Sequence, residues 1–174
     1  MTTYTGLSAI IALIFCEDGI TTTSLSGYDL TKRMKTLHLN FSHQQVYREA
    51  PRLLKNILDS ELDPQSGKPD RIVYSVKKGV TTEQIVDSIE FSKSFPPEYA
   101  LAFSNEKLVE KAALKAECIL IDLKKKVSDI DKGNQLGAGN SYGEAKIATQ
   151  QNWVTMLENY NFQLKNKSPI SHVA

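Results

Sequence analysis

Apolar residues recur along this chain at two different spacings, and each change of spacing marks where one element gives way to another. Leu7 to Phe15 (LSAIIALIF) is apolar on all sides and reads as a helix buried nearly all round. Gly27 to Leu37 reads as a second, short helix, with Tyr28, Leu30 and Met34 towards a core and Lys32 and Lys35 outward. A loop of about five residues, Leu37 to Phe41, leads to a third helix, Ser42 to Ile57, N-capped by Ser42. Its stripe is Val46, Ala50, Leu53, Leu54 and Ile57, at steps of three and four. The step then shortens. Leu58 to Leu62 and Arg71 to Val76 have the looser alternation of strands, and Pro64 to Asp70 (PQSGKPD) puts Pro, Gly and Ser where a hairpin turns. Helix, turn, helix, strand, turn, strand is the order of a winged helix-turn-helix.

Beyond Gly79 the helical period returns. Thr81 or Thr82 caps a helix to about Ser92, with Ile85, Val86 and Ile89 on one face, and Lys93 to Pro97 (KSFPP) ends it. That break predicts a boundary between a winged domain over 1–92 and a helical domain over 97–174. Pro97 suits the first turn of a short helix to about Phe103, and a long amphipathic helix follows from Asn105 to about Ile130. Its stripe is Leu108, Ala112, Ala116 or Lys115, Ile119, Leu123, Val127 and Ile130. Asp131 to Gly143 carries four glycines and predicts a loop. The last helix, Glu144 to about Leu164, lines up Ile147, Val154, Leu157 and Leu164 beside Trp153, Met156 and Tyr160, and the polar tail from Lys165 to Ala174 is expected to fray. Two long helices joined by a glycine loop make an antiparallel hairpin that cannot bury both its faces alone. A second copy of the chain completes it, with Leu157 in the seam; a monomer whose hairpin folds back on the winged domain is the competing arrangement. The predicted fold class is mainly α with a small β wing.

Composition narrows the function. With 174 residues and a net charge of +1, no whole-molecule field draws the chain to nucleic acid. The charge is unevenly placed, because Ser26 to Ile57 holds Lys32, Arg33, Lys35, Arg48, Arg52 and Lys55 against Asp29 and Glu49 alone. Leu7 to Phe15 is too short for a bilayer, which takes roughly 20 residues, and has no basic segment before it, so a cytoplasmic protein without membrane contact is expected. Cys16 and Cys118 lie far apart beside apolar residues and read as small buried side chains. His38, His43 and His172 have no metal-ligand spacing, and no cofactor is implied. LGAGNSYG lacks the preceding strand and the Lys-Ser/Thr of a phosphate loop, and no catalytic set stands out, so an enzyme is not expected.

The unusual polar residues sit on the third helix. Gln44, Gln45, Arg48 and Arg52, flanked by His43 and Tyr47, are amides and guanidiniums where an ordinary solvated face mixes Glu and Lys. Gln pairs bidentately with adenine and Arg with guanine, and either holds a phosphate. In a duplex-bound arrangement Gln44, Gln45 and Arg48 meet base edges, while Ser42, Tyr47, Arg52 and Lys32 hold phosphates. Lys68 and Arg71 on the wing lie over the backbone. Pro51 removes a helical hydrogen bond, so the helix is expected to kink near Arg48 or to start a fresh turn at Ala50, which puts the reach of Arg52 in question.

SGYDLTKRM at Ser26 to Met34, SHQQVYREAPRLL at Ser42 to Leu54 and GKPDRIVYSVKKG at Gly67 to Gly79 resemble the three signature blocks of the PadR family of bacterial transcription regulators. SHQQVYRE and GKPDR are most similar to the AphA-type virulence and quorum regulators within it. The resemblance implies a homodimer that binds double-stranded DNA at a dyad-symmetric operator, with dimerisation through the C-terminal helices. It also leaves room for a small-molecule or protein effector at the dimer interface, with Trp153 as a stacking surface. Against that pattern Ile20 to Ser24 looks like a small insertion. A winged-helix protein acting mainly through a protein partner, as an antirepressor or quorum-linked module, is the alternative.

Overall fold

The computed structural model describes residues 2–17, 23–67, 69–133 and 141–166, in two compact units, Met1–Pro96 and Pro97–Ala174. Among these residues helices predominate, with one three-stranded antiparallel sheet. Lys68, Ile20 to Thr22 of the apparent insertion, the middle of the glycine-rich segment and the tail beyond Asn166 lie outside the described residues.

In the first unit α1 (Gly6–Ile14) is apolar on every side because neighbours surround it: Ile10, Ile11, Leu13, Ile14 and the following Phe15 are all buried. Helix α2 (Gly27–Thr36) starts at a reciprocal cap, in which the Ser26 hydroxyl accepts from Asp29 N–H and the Asp29 carboxylate accepts from Ser26 N–H. It ends with His38 at φ +59°, where His38 N–H reaches Lys35 O at 3.0 Å and Leu39 N–H reaches Met34 O at 2.8 Å. Those two bonds satisfy the last carbonyls and redirect the chain, a place usually given to glycine. Leu30 and Met34 face the core as expected, but Tyr28 is 63% exposed.

Helix α3 (His43–Glu49) stops well short of Ile57. A 3-10 turn, Ala50–Leu53, takes over, because the Pro51 ring has no N–H to donate and collides with a carbonyl one turn back in a continuing helix. The apolar stripe survives the change: Val46, Ala50, Leu53 and Ile57 are buried and Leu54 is half-buried. Strands β1 (Leu25–Ser26), β2 (Leu58–Asp63) and β3 (Arg71–Val76) form the sheet in the order β1, β3, β2, with Leu25 opposite Tyr74, Leu58 opposite Val76 and Asp63 opposite Arg71. Helix α4 (Thr82–Asp87), capped by Thr81, ends before the expected Ser92. Tyr4 N–H takes the Ser88 carbonyl at 2.7 Å and Glu90 N–H reaches Tyr4 O at 2.8 Å, so the backbone leaves the helix to pair with the start of the chain.

In the second unit a 3-10 turn, Pro97–Ala102, precedes two antiparallel helices, α5 (Glu106–Gly133) and α6 (Ser141–Asn166). Their direction follows from Gln150 on the Ala116 carbonyl at 3.0 Å and Lys165 beside Glu110 at 3.5 Å. Both outrun the expected limits and take in each end of the Asp131 to Gly143 loop, since a single glycine in a helix costs only about 1 kcal/mol. Leu108, Ala112, Ala116 and Leu120 meet Val154 and Leu157 between them. Leu157 is therefore buried within one chain, not reserved for a seam between copies. Cys118 is exposed, contrary to the buried reading, on an outward row with Leu114 (61% exposed) and Ile121 (62%) at steps of four and three.

Candidate nucleic-acid interface

Helices α2 and α3 meet closely because Gly27 has no side chain. A Cβ on it would come within 2.6 Å of the Tyr47 ring, so that ring lies over the first turn of α2 and remains 40% exposed. Tyr28 stacks on His43 with centroids 5.4 Å apart and planes at 17°, which builds an exposed aromatic pair at the entry to α3. Neither contact is visible in periodicity. Tyr28 reads as a core position because it lies close to buried ones, but it sits in the first turn of α2, exposed and stacked on His43.

The start of α3 is held by a second reciprocal cap. Ser42 N–H donates to Gln45 Oε1 at 2.8 Å and Gln45 N–H donates to Ser42 Oγ at 3.3 Å. Two predicted contact residues are thus partly committed to the helix itself. Gln45 keeps its amide N–H2 as a free donor while its oxygen accepts from Ser42, and Gln44 beside it is exposed.

Arg48 and Arg52 project outward with side chains 72% and 67% exposed, yet both lean on Glu49. Arg52 Nη1 lies 2.8 Å from Glu49 Oε2 and Arg48 Nε lies 3.6 Å from Oε1. The fresh turn at Ala50 carries Arg52 back over Glu49 while leaving most of its surface in solvent. In the sequence Glu49 is only an opposing charge, and its spacing from Arg52 is the one signal that could mark it.

On the wing Arg71 Nε is 2.6 Å from Asp63 Oδ2 across the hairpin, within electrostatic range of Asp29 and Tyr47. Arg71 thus pairs across the wing with Asp63, which offsets its charge. Burial pushes the Asp29 carboxyl up, but the hydrogen bonds from Ser26 and the fields of Arg71 and Lys32 outweigh it and hold the group below its ordinary value. Lys32 is exposed on the same side. Arg33, by contrast, is turned to Glu17 at 3.6 Å. Strand β2 carries Asp59, Glu61 and Asp63, and the cross-strand pair Leu62 and Ile72 is 67% and 42% exposed.

Burial, with Glu83 and Glu17 nearby, pushes the Cys16 thiol up to about 12. Trp153 is half-buried and lines an open cleft of about 480 Å³ in the second unit with Glu98, Leu123, Lys146, Thr149 and Gln150. Among the described residues no cluster of His, Cys, Asp and Glu could hold a metal, and no helix is long and apolar enough to cross a membrane.

No protein-family model and no curated protein matches the chain. Several solved structures resemble it. PadR of Bacillus subtilis in complex with operator DNA is 18% identical, covering 91% of this chain and 98% of that one, at a TM-score of 0.38. A PadR-like transcriptional regulator from Bacillus cereus is 17% identical over 92% and 99%, at 0.35. The Bacillus subtilis protein in complex with p-coumaric acid is 16% identical over 91% and 99%, at 0.30.

Proposed function

We propose that this chain is a PadR-type transcription regulator that binds double-stranded DNA sequence-specifically, as a homodimer on an operator with dyad symmetry. The observation that carries the reading is the exposed row Gln44, Arg48 and Arg52 along α3 and the turn after it, with the wing hairpin in the same unit. Gln44 and Arg48 meet base edges in the major groove, and Gln45 adds one donor. Ser42, Tyr47, Arg52 and Lys32 hold phosphates around them, and Lys68 and Arg71 meet the backbone beside the groove. The C-terminal helices supply the dimer contact through the outward row of Leu114, Cys118 and Ile121. The Trp153 cleft is where a small effector would stack.

Selection of bound duplexes from a random pool tests this directly, and a dyad-symmetric site with half-sites about 34 to 36 Å apart, or a multiple, is the expected result. On that site Arg48→Ala should lose about 1 to 3 kcal/mol of discrimination at one symmetric pair of positions and leave the fold intact. Uniform weakening on every duplex would reduce Arg48 to a phosphate contact. A second reading, action mainly through a protein partner, is favoured by the exposed Leu62 and Ile72 on a wing whose β2 strand is acidic. Failure to bind any duplex at low salt selects it.

A further inference from the structure

We infer that Glu49 is a positioning residue for sequence choice: its buried carboxylate sets the directions of Arg48 and Arg52 and cancels one of their two charges. The inference rests on the DNA-binding reading above.

Glu49 closes α3 and is 9% exposed. A carboxylate so placed must be paired, and each of its oxygens is engaged. Oε2 accepts from Ser8 Oγ at 3.1 Å and pairs ionically with Arg52 Nη1 at 2.8 Å, while Oε1 lies 3.6 Å from Arg48 Nε, within ion-pair range. Ser8 belongs to α1, so the carboxylate is tied to a different buried element as well as to its own helix. Arg52 is thereby held close to the carboxylate and Arg48 is drawn more loosely towards it, while most of each side chain stays open to solvent.

Two consequences follow for binding. Long side chains lose rotamer freedom when they dock, and arginines already held lose less, which favours the duplex whose acceptors lie where they point. Non-specific affinity grows with the number of phosphates neutralised, and a carboxylate between two guanidiniums lowers that number by about one. Glu49 thus restrains attachment to arbitrary duplex while supporting the matched site. An ion pair that merely holds α1 to α3 would have neither effect.

The test compares the full-length chain with Glu49→Gln, which keeps the size and an acceptor for Ser8 but removes the charge. NMR of the arginine Nε–H groups in the free protein reads whether the guanidiniums are held, before DNA enters. Binding is then measured across a salt series to a duplex selected from a random pool and to a scrambled duplex of equal length. Expected are loss of restricted motion at Arg48 and Arg52 and a slope of log K against log salt on the scrambled duplex steeper by about one unit. Preference for the selected duplex should fall at least about fivefold. Should Glu49→Gln fold poorly, Ser8→Ala frees the carboxylate without changing charge and should lower the preference with no change in slope. Unchanged arginine signals would overturn the inference whatever the DNA does, and so would unchanged slope and preference. A wild-type chain that binds neither duplex would overturn the function proposed above and the inference with it.

Discussion

Gln45 shows how one side chain can be claimed twice. Its oxygen accepts from Ser42 N–H, and its position on α3 faces the proposed duplex. Gln45→Glu separates the two roles, because a carboxylate accepts that bond equally well and adds about 0.3 to 1 kcal/mol at a helix N-terminus, yet repels phosphate. Thermal unfolding should therefore rise slightly while duplex affinity falls; a fall in both would mean that the amide N–H2 also holds the fold. His38 offers a simpler test. A side chain at φ +59° costs about 1 to 2 kcal/mol, so His38→Gly should stabilise the winged unit, by up to about 1 kcal/mol once the freer unfolded chain is allowed for. Denaturant titration gives the sign.

The elements of the winged unit depend on their caps, and one of these is sensitive to acid. Asp29 is held below its ordinary value of 3.8, so its contribution to α2 is present above that value and is lost as pH falls through the lower, folded one. Stability should decline on acidification through that range, and Asp29→Asn, followed by thermal unfolding against pH, should flatten that part of the curve. An unaltered pH profile would assign the acid sensitivity elsewhere. The same logic of local satisfaction explains why α3 gives way to a tighter turn at Ala50: Pro51 withdraws a donor, and the 3-10 turn needs none from it.

At the scale of the whole molecule the proposed dimer makes the strongest demand. Leu114 and Ile121 expose most of their surface on α5, and on α6 Met156 exposes half of its surface and Phe162 most of it. Ile121→Asp should therefore leave the hairpin folded and weaken self-association about a hundredfold, from two copies at about 1.5 kcal/mol each. Leu157→Asp should instead unfold the hairpin, since Leu157 is buried within one chain. Sedimentation at micromolar concentration with circular dichroism checks both, and a monomeric wild type would remove the dimer from the proposal.

Periodicity alone determined the order of elements, because burial of an apolar face is repeated at every turn or alternate residue and leaves its mark in sequence. It determined α1 as a helix buried nearly all round, the wing hairpin around PQSGKPD and the pairing of two long helices, and Pro51 announced the break after Glu49. Contacts made once leave no such repeat. The two-residue β1 exists only because β3 is there to pair with it, α4 ends early as Tyr4 pairs with Ser88 and Glu90 just beyond it, and Tyr28 leaves the core for His43. Glu49 is the sharpest case. Its letter in the sequence is an ordinary acid beside two arginines, and only the approach of Ser8 from another helix makes it the buried point on which both are held.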